Sequence, residues 1–178
     1  MGRHALAATV ALALAALVPA VAQAETRIVV VGPHAPQYQR WVDSSAVPTP
    51  GGVVTVRLER CPVGPTDAAG CVIAGTSTIY LRPEGRFKDR FLHELGHIYD
   101  ETVMTDLRRA RFERLLHKRG ATAWAASAPD GPSEQFAEAY SMCARHPALR
   151  AMAYGMYAYS PTPARHQRIC ALIRQAGA

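Results

Sequence analysis

The chain changes character at Pro83. Before it, short β-branched or alternating stretches are separated by Gly-, Pro- and Ser-rich ones; after it, Ala, Arg and Leu dominate at helical spacing. Strands gathered first and helices second predict an α+β fold rather than an alternating one. "TRIVVVG" (Thr26 to Gly32) is short, β-branched and closed by Gly-Pro, which predicts a buried strand. "VVTVRLERC" alternates apolar and polar residues, and so predicts a strand with one wet face. "CVIAG" and "TSTIYLRP" are two further strand candidates, and one helical turn is expected around Gln37 to Val42. Helices are expected at 86–103, 105–119, 132–145, 148–157 and 162–175. The expected architecture is a small N-terminal β-sheet layer packed beside the first long helix, with a mainly helical C-terminal half.

The first residues set the compartment. Arg3 and His4 precede an apolar run from Ala5 to Val18, and "AQA" (Ala22 to Ala24) follows. That layout predicts a secretory signal peptide over 1–24 with cleavage after Ala24. Residues 25–178 then form one domain of ordinary size, expected to be secreted and to keep no membrane anchor. Cys61, Cys71, Cys143 and Cys170 are an even number in an oxidising compartment, and no C-x-x-C pair is present. Proximity in sequence favours Cys61–Cys71, closing a Gly- and Pro-rich loop, and Cys143–Cys170, tying two helices. The formal net charge of +6 favours anionic surfaces in general, and solubility is its plainer consequence. "DLRRARFERLLHKRG" carries six basic residues, but its basic and apolar positions overlap on the wheel, as on a solvated, partly packed helix.

"FLHELGHIYD" (Phe91 to Asp100) carries the chemistry. At about 100° per residue, His97 lies about 40° from His93 and Glu94 about 100° from it. Phe87, Phe91, Leu92, Leu95, Ile98 and Tyr99 fill the opposite arc. Two imidazoles side by side, facing away from the apolar arc, are the arrangement for one zinc ion. A zinc ion acidifies bound water and polarises a carbonyl, and a neighbouring carboxylate, Glu94, can take the water's proton and later deliver it to a leaving amine.

A catalytic zinc normally has three protein ligands and one open position. "DGPSEQFAEAY" opens a helix at Pro132, capped by Asp130 or Gly131, and puts Glu134 and Glu138 on one face with Phe136, Tyr140 and Cys143 opposite. One carboxylate can bind zinc while the other accepts the free ring N–H of a ligating histidine. "HELGHIYD" followed by "SEQFAEAY" resembles the gluzincin class of zinc metallopeptidases, and among these is most similar to short secreted ones of the lethal-factor-like and Pro-Pro-endopeptidase kind. The resemblance implies that Glu134 is the third ligand and that Glu138 supports a ligating histidine. It covers two motifs and leaves the N-terminal third aside.

Other zinc patterns do not fit. The metzincin pattern needs Gly where Asp100 stands and His where Val103 stands. Asp100 lies only three residues after His97 on the same helix, so it is expected to support a ligand or to be structural. The class usually supplies a Tyr or His that stabilises the oxyanion, and Tyr154, Tyr157, Tyr159, His146 and His166 are the unranked candidates. The "AYGMYAYSP" cluster is expected to pack on the C-terminal helix or line a pocket. "STIYL", if an edge strand, could hold an extended peptide by strand addition. The expectation is thus a secreted peptidase with one zinc ion, hydrolysing peptide bonds by a metal-activated water, with a peptide or protein substrate and no nucleic-acid partner. Two rivals stand beside it: a secreted protein with a structural or vestigial zinc site, and a cell-envelope binding protein using its basic surface.

Overall fold

A computed structural model describes residues 25–31, 34–64, 68–85, 87–117, 124 and 131–177. The signal-peptide expectation over 1–24, Gly32 at the end of the first strand reading and Asp130 as a helix cap lie outside these residues. The fold is α+β. Four strands, β1 (Thr26–Val31), β2 (Gly52–Arg57), β3 (Gly70–Val72) and β4 (Thr78–Leu81), form one mixed sheet in the order β1-β2-β4-β3. Five helices accompany it: α1 (Ala35–Asp43), α2 (Lys88–Val103), α3 (Asp106–Leu116), α4 (Pro132–Arg145) and α5 (Pro163–Ala176).

The pleat decides which residues enter the core. Ile28, Val54, Val56, Ile79 and Leu81 are buried, whereas Val29, Val31 and Val53 are exposed. β1 is therefore buried on one face only, and its run of valines reads falsely as a strand covered on both. β1, β2 and β4 run parallel, with α1 crossing between β1 and β2. The Gln39 side chain of α1 accepts from the Ile28 N–H at 2.9 Å and donates to the Thr26 carbonyl at 3.1 Å. This occupies ladder groups on the outer edge of β1. At the other end of the sheet β3 runs antiparallel to β4. β4 is thus internal, contrary to the edge position considered for "STIYL"; the terminal strand on that side is β3, stapled to the preceding loop by the disulfide Cys61–Cys71.

α2 is the central helix. Phe91, Leu92 and Leu95 are fully buried, and so, almost completely, are His93 and Glu94. The polar side of α2 does not face solvent, because α4 lies across it. Gly96 permits this approach: a methyl group there would sit 3.0 Å from the Ala137 Cα and 3.1 Å from the Ala137 carbonyl oxygen. Ser141 of α4 also donates to the Asp89 carbonyl of α2 at 2.7 Å. α4 is joined to α5 by the disulfide Cys143–Cys170, and Tyr99 of α2 donates to the Ile173 carbonyl of α5.

The helix expected at 148–157 does not form. The chain instead makes a tight hairpin, with the Gly155 N–H bonded to the Tyr159 carbonyl and the Tyr159 N–H to the Met156 carbonyl. The turn residues Tyr157 and Ala158 both have positive φ, 56° and 55°, the pairing of a type I′ turn. A bulky aromatic residue in that region costs roughly 1–3 kcal/mol, so surrounding contacts must impose it. Those contacts come from α4, α5 and the candidate site.

Candidate metal centre

α2 and α4 present their chemistry to each other across the Gly96 contact. His93 Nε2 lies 3.2 Å from Glu134 Oε2, and His97 Nε2 lies 3.6 Å from the same oxygen. All three donor atoms fall within 4.8 Å of one another, the spacing of a group that could hold a metal ion. Donors about 2.0–2.1 Å from a tetrahedral ion are about 3.3 Å apart, so the set needs little adjustment to close on one. Glu134 sits in the first turn of α4, behind Gly131 as cap and Pro132 at the helix start, where a carboxylate is favoured by the helix dipole.

The opposite nitrogen of His93 provides a second test of fit. His93 Nδ1 and Glu138 Oε2 are both buried without a hydrogen bond of ordinary length among the described residues, and they face each other at 3.5 Å. A proton on Nδ1 directed at Glu138 would satisfy both and leave the Nε2 lone pair for a metal. The other Glu138 oxygen accepts from the Met156 N–H at 3.3 Å. Burial alone would raise the Glu134 carboxyl, but the hydrogen bonds to His93 and His97 outweigh it and hold it at about 2. Burial alone would lower His93, yet Glu134, Glu138 and Glu94 raise it to about 9. Both directions report carboxylate and imidazolium stabilising each other across the cluster, a charge pairing that a divalent cation bound between them would replace.

Glu94 stands outside the donor set. Burial pushes its carboxyl up, opposed by the charges of His93 and His97. Its Oε1 lies against Gly70 of β3, where a methyl group would come within 2.7 Å of it and within 2.9 Å of Leu81. Glu94 thus faces the terminal strand, while His93 faces the hairpin. The Tyr157 ring stacks on the His93 ring at 4.6 Å and 23°.

Compared with family models, with curated proteins and with solved structures, the chain has no match. The reading of the centre rests on its own residues.

The structure separates the oxyanion candidates left unranked by the sequence. Tyr154 is 83 % exposed. Tyr159 is buried and its hydroxyl points at His166 Nδ1, 3.4 Å away, while His166 Nε2 donates to the His146 carbonyl at 2.6 Å. Those two side chains brace the hairpin against α5, and the disulfide sulfur of Cys170 lies 3.3 Å from His166. Tyr157 alone of the three tyrosines touches a metal-binding candidate. Burial, followed by the charges of Glu134, Glu94 and Glu138, raises its phenol to about 12, so it keeps its proton at neutral pH. Gln135 of α4 holds the turn by donating to the Tyr157 carbonyl at 3.0 Å. Gly155 fits because a methyl group there would meet Glu138 Oε1 at 2.9 Å.

Asp100 takes the structural one of its two expected roles. Its oxygens accept from Arg109 Nε at 2.8 Å and from Trp124 Nε1 at 2.7 Å, tying α2 to α3. The role of Gly70 is invisible in the sequence and has a measurable consequence. Gly70→Ala should leave the fold and metal content intact, because the far end of the Glu94 side chain can move aside. Any hydrolysis that depends on Glu94 should then fall by about 10²-fold, the cost of roughly an ångström of misplacement. Metal analysis alongside peptide hydrolysis checks this, and unchanged turnover would remove Gly70 from the site.

Proposed function

We propose that the chain is an exported zinc-dependent peptidase of the gluzincin kind. The observation that carries this reading is an open three-donor cluster, His93, His97 and Glu134, with a fourth group, the carboxyl of Glu94, buried beside it and outside the donor set. A structural zinc site is closed by four protein ligands, whereas this group has three members among the described residues. The His97 and Glu134 side chains remain 21 % and 26 % exposed, so the centre is reachable. Two disulfides are typical of an extracellular protein and agree with export.

His93, His97 and Glu134 would hold the ion, and Glu138 would fix the His93 ring. When bound, zinc supplies Lewis acidity to a peptide carbonyl and to water. Glu94 takes the proton of the attacking water as its oxygen bonds to the carbonyl carbon. The same carboxyl returns that proton to the amine nitrogen as the C–N bond breaks, and the water's second proton follows it from the new carboxylic acid, leaving a carboxylate and an ammonium. Tyr157, protonated and held over His93, donates a hydrogen bond to the charge developing on the carbonyl oxygen. The terminal strand β3, beside Glu94, is where an extended peptide could add to the sheet.

Incubation of the purified protein with a mixed peptide library tests the reading. Cleavage should disappear on chelation and return on adding zinc; an intact library at full zinc occupancy would overturn it. Tyr157→Phe tests the hydrogen bond separately, because Phe keeps the ring stack and removes only the hydroxyl. Its kcat should fall by about 10²–10³-fold with KM and zinc affinity little changed. Normal kcat would confine Tyr157 to packing.

A further inference from the structure

Among the described residues, the basic stretch noted in the sequence is not used by the metal centre. It begins on α3, and α3 packs on α5 to form a groove of about 490 Å³. Leu107, Arg108, Arg111 and Arg114 line one side, and Leu172 and Gln175 the other, so it shares no residue with the metal centre. The three arginines recur every third residue, a row about 9 Å long at 1.5 Å rise per residue. With Arg111 at zero on the wheel, Leu107, Arg108 and Arg114 fall within about 60° of it, and the two acids of α3, Asp106 and Glu113, fall about 140–160° away. Asp106 is engaged by Arg109. α5 carries no acidic residue at all.

The charge in this groove is not neutralised from within. Arg108 donates to the Val103 and Gln175 carbonyls, which are neutral, and Arg111 and Arg114 make no ion pair among the described residues. The lining side chains offer guanidinium N–H donors, two leucines and a single amide. A peptide laid there would bury amide N–H groups with almost nothing to accept from them. A phosphodiester chain brings a charged acceptor group on every unit and no amide N–H to satisfy, and guanidinium forks match phosphate oxygens.

We propose that the α3–α5 groove is a binding site for a phosphodiester polymer, independent of the metal centre. An exported protein would use it to stay on an anionic envelope polymer near its substrate. The groove does not depend on the peptidase reading, and its test needs no turnover.

The protein, with and without chelator, is titrated with a glycerol phosphate oligomer at several salt concentrations. Binding should survive chelation and weaken with salt. Arg111→Gln/Arg114→Gln should bind roughly tenfold or more weakly, and its salt slope should fall by about one to two. Leu107→Glu, at a position 76 % exposed and so harmless to folding, places a carboxylate in the groove and should also weaken binding roughly tenfold or more. Wild-type affinity in Leu107→Glu overturns the proposal, as does wild-type affinity in the folded double variant. Equal affinity for polyglutamate of matched length replaces the phosphodiester by an acidic peptide and overturns it too. Binding confined to vesicles of anionic lipid, with none to the soluble oligomer, has the same effect.

Discussion

Glu94→Gln should keep zinc bound and lower peptide hydrolysis by about 10²–10⁴-fold, the contribution of a positioned general base. The isosteric amide fills the same space against Gly70, so the fold has no reason to change. What it loses is the capacity to accept a proton. Glu94 is suited to that task because burial raises its carboxyl toward the working range of a base, while the two imidazoles keep it from rising unchecked. Zinc content by elemental analysis and kcat on a peptide found in the library give the two readouts. Activity near wild type at full zinc occupancy would remove Glu94 from the chemistry. Loss of zinc would instead make it a ligand, which its place outside the donor set argues against.

The parts of this site that a sequence shows are those that one helix can hold. His93, His97 and Glu94 share a helical face by spacing alone, and so do Glu134 and Glu138. The two faces meet because Gly96 lets α2 and α4 approach, and a helical glycine announces no such partner. Both disulfides lie within short sequence separations, which is why proximity sufficed for them. The sheet order was less legible. That β3 and not β4 ends the sheet depends on pairing between distant strands, and nothing within "STIYL" records its neighbours.

The hairpin at Tyr157 was hidden for a different reason. Type I′ turns are signalled by Asn-Gly or Asp-Gly, and here the central pair is Tyr-Ala. Local propensity favours a helix over 148–157, and tertiary contacts override it: Gln135 holds the Tyr157 carbonyl, Glu138 the Met156 N–H, and His166 the Tyr159 hydroxyl. Gly155 was the one local cue. An aromatic residue forced into a left-handed turn and stacked on a metal-binding candidate is the kind of local conflict that marks a functional site.

The last prediction separates the two glutamates of α4. Both lie on one face, and their oxygens approach different nitrogens: Glu134 Oε2 the Nε2 atoms of His93 and His97, Glu138 Oε2 the Nδ1 atom of His93. Glu134→Ala removes a donor and a negative charge from the ion itself, so zinc should be lost in dialysis against a mild competitor, and hydrolysis with it. Glu138→Ala removes the acceptor that orients one imidazole. Such partners are worth about 10–100-fold in affinity or activity, so this variant should hold zinc more tightly than Glu134→Ala yet work poorly. It should also loosen the hairpin, because the Met156 N–H loses its acceptor, and kcat should therefore suffer more than zinc affinity. Zinc titrations and kcat for both variants decide the matter. If Glu138→Ala is the variant emptied of metal, the roles are exchanged. If neither variant loses affinity, Glu134 is no ligand and the gluzincin reading fails with it.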